Sequence, residues 1–217
     1  MLSLYIDSAD RPEVEALMRT GAFSGATTNP KLLRAAGLGP RDLPSMYAWM
    51  LDAGARDVFM QSWGDNAEAL YANGQQLLAI GDRAVVKVVA SHAGITAASR
   101  LHAAGARVLL TAVYATHQAV TAGAIGLKFI APYMGKLTEA GVDGRRAVVT
   151  MHEVLRATGS NTRVLAASLR STADITHLAQ QGVDAFAIPA PVAWKFFEDA
   201  YTQAAVNEFD EITSAWQ

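Results

Sequence analysis

A lysine set inside an apolar run has the most chemistry to offer in this chain. Lys87 stands in Ala84-Val-Val-Lys87-Val-Val-Ala90, and lysine is seldom buried without a reason. Desolvation there disfavours the ammonium and lowers its pKa. The neutral amine that results attacks carbonyls and forms a Schiff base. An ion pair with an inward carboxylate is the plainer use of the same residue. The other lysines are Lys31, Lys128, Lys136 and Lys195. Lys128 is the nearest competitor, but its neighbours are less apolar and it opens its strand rather than crossing the middle of one.

A second group of polar residues falls at the ends of successive apolar runs: Asp7, Thr27-Thr28-Asn29, Gln61, Thr111, Tyr133, and Ser168 with Arg170. Each alone reads as a turn or cap residue. Their concentration at one end of successive strands is what an active site at the C-terminal mouth of a barrel requires. Other motifs are quiet. The five histidines (92, 102, 117, 152 and 177) form no H-x-x-x-H pair and have no acidic cluster beside them, so no metal is expected. No G-x-S-x-G elbow or Walker loop occurs. Trp49, Trp63 and Trp194 read as packing residues, with Trp63 close enough to Gln61 to line a pocket.

The elements that must position these residues follow one rhythm. Strands are expected at residues 2–6, 24–28, 57–62, 84–89, 107–112, 128–132, 163–168 and 185–189. Helices are expected at 11–19, from Pro30, at 43–51, from a cap at Asp65, at 94–104, 116–124, 145–158, 172–181 and from Pro191. Pro30 suits a first helical position, where its missing N–H costs nothing. Gly105, Gly126 (or Gly123) and Gly182 serve as helix stops. Between 133 and 144 the chain reads as a polar loop. The runs AVVKVV, RVLLTA and RVLAAS are continuously apolar, the mark of strands covered on both faces. Eight strand–helix units with right-handed crossovers close most simply into a (β/α)8 TIM barrel, expected as one domain over 1–217. A doubly wound open sheet is the competitor, but no glycine-rich phosphate fingerprint follows the first strand. One segment is left over: Asp199–Trp216 reads as a helix with Ala205, Phe209, Ile212 and Trp216 along one stripe. That stripe must cap its own barrel or pack on a neighbouring subunit.

Composition narrows the field further. Of 217 residues 51% are apolar and 18% charged, which excludes a disordered chain. The net charge of −2 and the dispersed Lys and Arg present no footprint for nucleic acid or an anionic membrane. Cysteine is absent, so no thiolate nucleophile or disulfide framework exists. With neither a signal-like N-terminus nor a run of about 20 apolar residues, a soluble, cytoplasmic protein is expected.

Six stretches carry a family likeness: Tyr5-Ile-Asp7-Ser, Gly25-Ala-Thr-Thr-Asn29-Pro30, Val85-Val-Lys87-Val, Thr111-Ala-Val-Tyr114, Ala131-Pro-Tyr133 and Val164-Leu-Ala-Ala-Ser168. In that order and spacing the chain resembles, over essentially its whole length, the fructose-6-phosphate aldolase branch of the small transaldolase family. The resemblance implies a class I aldolase in which Lys87 is the Schiff-base lysine and no metal or organic cofactor is needed. It implies that Asp7 holds sugar hydroxyls and takes part in proton traffic. Thr28 and Asn29 would lie beside the iminium, and Gln61, Thr111 and Tyr133 would position a proton-shuttling water. Ser168, Arg170 and Lys136 would meet the substrate phosphate, Lys136 standing where the family usually has arginine.

Transaldolases proper tend to carry Glu where this chain has Gln61 and Phe where it has Tyr133. The resemblance therefore favours an aldolase, which cleaves or forms a ketose phosphate such as fructose 6-phosphate from dihydroxyacetone and an aldose phosphate. A transaldolase that transfers the same three-carbon unit is the alternative, and a non-catalytic sugar-phosphate-binding barrel is the rival of another class. Val89 and Ser91 depart from the family's usual Pro and Thr, and Leu169-Arg170 from its Phe-Lys or Phe-Arg pair. The likeness also implies a homo-oligomer, a pentamer or decamer, with the C-terminal helix reaching a neighbour.

Overall fold

In the computed structural model, which describes residues 2–216, eight parallel strands hydrogen-bond in sequence order and the last pairs back to the first. They are β1 (Ser3–Asp7), β2 (Gly25–Thr27), β3 (Asp57–Gln61), β4 (Ala84–Val89), β5 (Val108–Val113), β6 (Phe129–Pro132), β7 (Arg163–Ala166) and β8 (Ala185–Pro189). The helices are α1 (Arg11–Met18), α2 (Pro30–Ala35), α3 (Leu43–Asp52), α4 (Ala67–Leu78), α5 (His92–Ala103), α6 (His117–Ile125), α7 (Met134–Glu139), α8 (Gly144–Ala157), α9 (Thr172–Gln180), α10 (Ala190–Trp194) and α11 (Ala200–Ser214). The expected TIM barrel is therefore present, with α11 as the additional C-terminal helix.

The continuous apolar runs are explained by two separate cores. Val86, Val88, Leu110 and Ile130 face outward into the layer between sheet and helices. Their neighbours Val85, Leu109, Phe129 and Leu165 face inward and fill the barrel. Successive side chains on a strand point to opposite faces, so Lys87, two residues after Val85, shares the inward face. Below it the barrel is plugged by aromatic rings: Tyr5 and Phe59 meet edge-on at 4.8 Å between centroids, and Phe129 lies 5.5 Å from Phe59. The middle of the barrel is thus a packed core, and the space beside Lys87 opens at the C-terminal mouth.

Several boundaries differ from the sequence reading for local reasons. The fourth helix is capped by Asn66, whose side chain accepts from the Ala69 N–H, and not by Asp65. The stretch read as a polar loop contains α7, two turns long, with Met134 and Leu137 buried. Six residues are too few to show a periodic apolar face. The seventh strand ends at Ala166 rather than residue 168. Gly126 stops α6 in the left-handed conformation, φ 83°. The C-terminal stripe does not cap its own barrel: no residue of α11 is buried, and Phe209, Ile212 and Trp216 are exposed.

Candidate active site

A cavity of about 280 Å³ occupies the C-terminal mouth. Its polar lining comes from Asp7 on β1, Thr27 on β2, Lys87 on β4, Thr111 on β5, and Tyr133, Ser168 and Arg170 just beyond β6 and β7. Asn29, Lys31 and Lys136 complete the rim, with Leu109, Ala131, Leu165 and Ala187 as the apolar floor.

Lys87 is 5% exposed, and its Nζ donates to the Thr27 hydroxyl at 2.8 Å and to the Thr28 carbonyl at 2.7 Å. A neutral amine uses both hydrogens on these two acceptors, which leaves its lone pair as the free valence. Burial lowers the Lys87 pKa, and the nearby Asp7 charge opposes that shift. Burial raises the Asp7 carboxyl, and Lys87 opposes that in turn. Desolvation therefore pushes both groups toward their uncharged forms, an amine capable of nucleophilic attack and an acid capable of giving up a proton.

Thr111 and Tyr133 form a second polar unit, with hydroxyl oxygens 3.0 Å apart. The pairing of β5 with β6 shifts register between Leu110 and Val113, and Ala112 within the shift has φ 55°. An irregularity of this kind redirects a side chain at a sheet rim. Burial pushes the Tyr133 phenol up, ahead of the lowering effect of its Thr111 hydrogen bond, so it remains a proton donor at neutral pH. The ring of Tyr114 packs edge-on against Tyr133, 5.6 Å between centroids.

The cationic corner of the cavity is built by a close approach. The Gly135 N–H donates to the Ser168 carbonyl at 3.0 Å, and a Cβ at Gly135 would lie 2.2 Å from that oxygen. Only glycine lets the start of α7 sit against the turn after β7, where Ser168 itself has φ 60°. This contact brings Lys136 and Arg170 together, both bonded to Glu139.

Of the residues singled out in the sequence, Asp7, Asn29, Lys87, Thr111, Tyr133, Lys136, Ser168 and Arg170 line this one cavity. Asn29 also caps α2, its side-chain oxygen accepting from the N–H groups of Lys31 and Leu32. Two expectations are placed differently. The Thr28 hydroxyl donates to the Phe59 carbonyl at 3.0 Å and is fully buried, so Thr28 meets Lys87 through its backbone oxygen and not its side chain. Gln61 pairs with Lys87 in register on the neighbouring strand, yet it stands outside the cavity lining, as does the exposed Trp63. Lys128 lines a separate concavity with Tyr5, Asp57 and Arg107, residues of the opposite barrel end. Lys31 and Glu139 were missed, and Thr27, placed on the rim, was given no role beside Lys87. Strand alternation, two residues from Gly25, was the available signal for Thr27; α7, unrecognised in the sequence, hid Glu139. Among the described residues no group of three or more His, Asp or Glu side chains could hold a metal ion.

A family model described as Transaldolase/Fructose-6-phosphate aldolase matches residues 4–217. This chain belongs to that family. Members with curated names include a probable transaldolase of Thermus thermophilus, 29% identical over 216 residues and covering 97% of both chains. A probable transaldolase of Heliobacterium modesticaldum is 26% identical over 208 residues, 96% of this chain and 95% of its own. Among solved structures, a mandelate oxidase mutant superposes with a TM-score of 0.59 at 16% identity, covering 88% of this chain, and a flavocytochrome b2 mutant with 0.61 at 11%, covering 89%. This chain spans 65% and 58% of those two, and at such identity the likeness is one of barrel fold alone. As a member of the transaldolase/fructose-6-phosphate aldolase family, the protein is a class I aldolase enzyme with aldolase or transaldolase activity, which sets aside the non-catalytic barrel. No helix among the described residues is long and apolar enough to cross a membrane.

Proposed function

We propose that this protein is a Schiff-base aldolase that cleaves or forms a ketose phosphate such as fructose 6-phosphate, with dihydroxyacetone and an aldose phosphate as the partners. The observation that carries the proposal is the Lys87 amine, buried at the cavity mouth, hydrogen-bonded by Thr27 and Thr28, and lowered in pKa. In the cleavage direction Nζ attacks the ketose C2 carbonyl, and loss of water leaves an iminium. A base removes the proton of the C4 hydroxyl, the C3–C4 bond breaks, and its electron pair is taken up as an enamine. The aldose phosphate departs, C3 is reprotonated, and water hydrolyses the iminium to free dihydroxyacetone and Lys87.

Asp7 takes the sugar hydroxyls and carries protons, since burial brings its carboxyl closer to neutrality. Thr111 and Tyr133 hold the shuttling water. Asn29 binds donor hydroxyls, with the Thr28 carbonyl as the fixed point for Nζ. Ser168, Lys136 and Arg170 bind the phosphate. The Gln61 and Tyr133 pair favours release of dihydroxyacetone to water. A transaldolase, which hands that unit to a second aldose, is the other reading and draws its support from the relatives named probable transaldolase.

The whole chain acts as one barrel domain, and the exposed apolar face of α11 joins copies of it into a ring-like homo-oligomer. Borohydride reduction in the presence of dihydroxyacetone, followed by peptide mass spectrometry, is expected to leave the adduct on Lys87. Lys87→Met, which fills similar volume, is expected to fold, form no adduct and lose turnover by at least about 10³-fold. An adduct elsewhere or retained turnover overturns the reading. Dihydroxyacetone release from fructose 6-phosphate without an acceptor aldose separates aldolase from transaldolase.

A further inference from the structure

Beside the cavity, one carboxylate serves two cations. The Lys136 Nζ donates to Glu139 Oε2 at 2.6 Å, and Arg170 donates to Oε1 from Nη2 at 2.7 Å and from Nε at 3.3 Å. Lys136 and Arg170 line the cavity, whereas Glu139 lies outside it and lines the neighbouring concavity with Arg145, Asp174 and the other side of Arg170. The Nε–Nη2 edge of Arg170 is one of the two edges that can fork on a phosphate, and here a protein carboxylate already engages it. The corner therefore meets an incoming substrate with two cations and one anion, a net single positive charge.

We propose that Glu139 is a specificity-determining residue. It competes with the substrate phosphate for Lys136 and Arg170 and so lets the cavity accept an unphosphorylated aldose alongside a phosphorylated one. The proposal rests on the phosphate placement given above. The two cations hold the Glu139 carboxyl down at about 2, so the competitor stays charged throughout the working pH range. All three side chains are about half exposed, which keeps the competition modest through solvent screening. It also leaves Glu139 without a core role, so its replacement is compatible with folding.

The test uses the full-length enzyme with dihydroxyacetone as donor and either glyceraldehyde 3-phosphate or glyceraldehyde as acceptor. Glu139→Gln is expected to lower KM for the phosphorylated acceptor about fivefold, with KM for glyceraldehyde and kcat for both unchanged. Glu139→Asp, which keeps the charge, is expected to stay near the parent enzyme. Inorganic phosphate is expected to inhibit Glu139→Gln at lower concentration. A higher KM for the phosphorylated acceptor would make Glu139 a support for the cations and overturn the proposal. An unchanged KM, or equal shifts for both acceptors, would overturn it as well. Lys136→Met separates the two levels of inference, because it raises KM for the phosphorylated acceptor only if phosphate sits at this corner. If it does not, the placement fails and the competition with it, while adduct formation at Lys87 still reports independently on the chemistry.

Discussion

Lys87 and Asp7 are each shaped by the same burial, and their mutual charge effects run against it. Asp7 favours the ammonium form of Lys87, so its removal leaves desolvation unopposed and the lysine pKa falls further. Below that pKa the amine is protonated and cannot attack, and imine formation fails as pH drops through it. Asp7→Asn is therefore expected to move the acidic limb of dihydroxyacetone trapping to lower pH, even as it slows turnover. Measuring trapping instead of turnover keeps the proton-carrier role proposed for Asp7 out of the readout. A limb that moves to higher pH, or does not move, would mean that Asp7 exerts no charge effect on Lys87.

The loop-to-helix junctions around the mouth matter as much as the strands. Gly94 lets the start of α5 fold back over β4, since a Cβ there would lie 1.9 Å from the Val89 carbonyl, and Ser91 caps the helix by accepting the Gly94 N–H. Gly135 does the same for α7 against Ser168. Gly135→Ala must separate these backbones and carry Lys136 away from Arg170. Overpacking of this kind costs about 1–3 kcal/mol, a fall in Tm of about 3–10 °C for a chain of this size. KM for a phosphorylated acceptor is expected to rise more than kcat falls. Thermal melting with parallel kinetics checks both, and a variant with parental Tm and KM would show the close contact to be dispensable.

At the scale of the whole molecule, α11 stands apart from a barrel whose own cores are complete. Its Tyr201, Val206, Phe209 and Ile212, and Trp216 just beyond its end, are all exposed, Tyr201 by 88% and Trp216 by 77%. An apolar surface of this kind suits the subunit contact proposed above. Truncation before Asp199 is expected to leave the barrel folded, since no α11 residue is buried against it, with a melting temperature lowered only by the loss of subunit contacts. The mass measured by light scattering is expected to fall, and an unchanged mass would place the oligomer contact elsewhere.

The amino-acid order by itself determined the barrel: two-faced apolar runs demand covering on both sides, and their alternation with helices leaves few closed arrangements. It also determined Lys87 as the reactive candidate, because a charge within AVVKVV has only the barrel interior to occupy. What only the tertiary structure decided lies in contacts between distant strands. That Thr27 and not Thr28 meets Lys87 by its side chain follows from inward parity on β2 set against β4, sixty residues away. The coupling of Lys136 and Arg170 through Glu139 follows from a backbone approach at Gly135 that no local pattern encodes. Local propensity acts over a turn or a strand, whereas the functional geometry is set where the ends of separate strands converge.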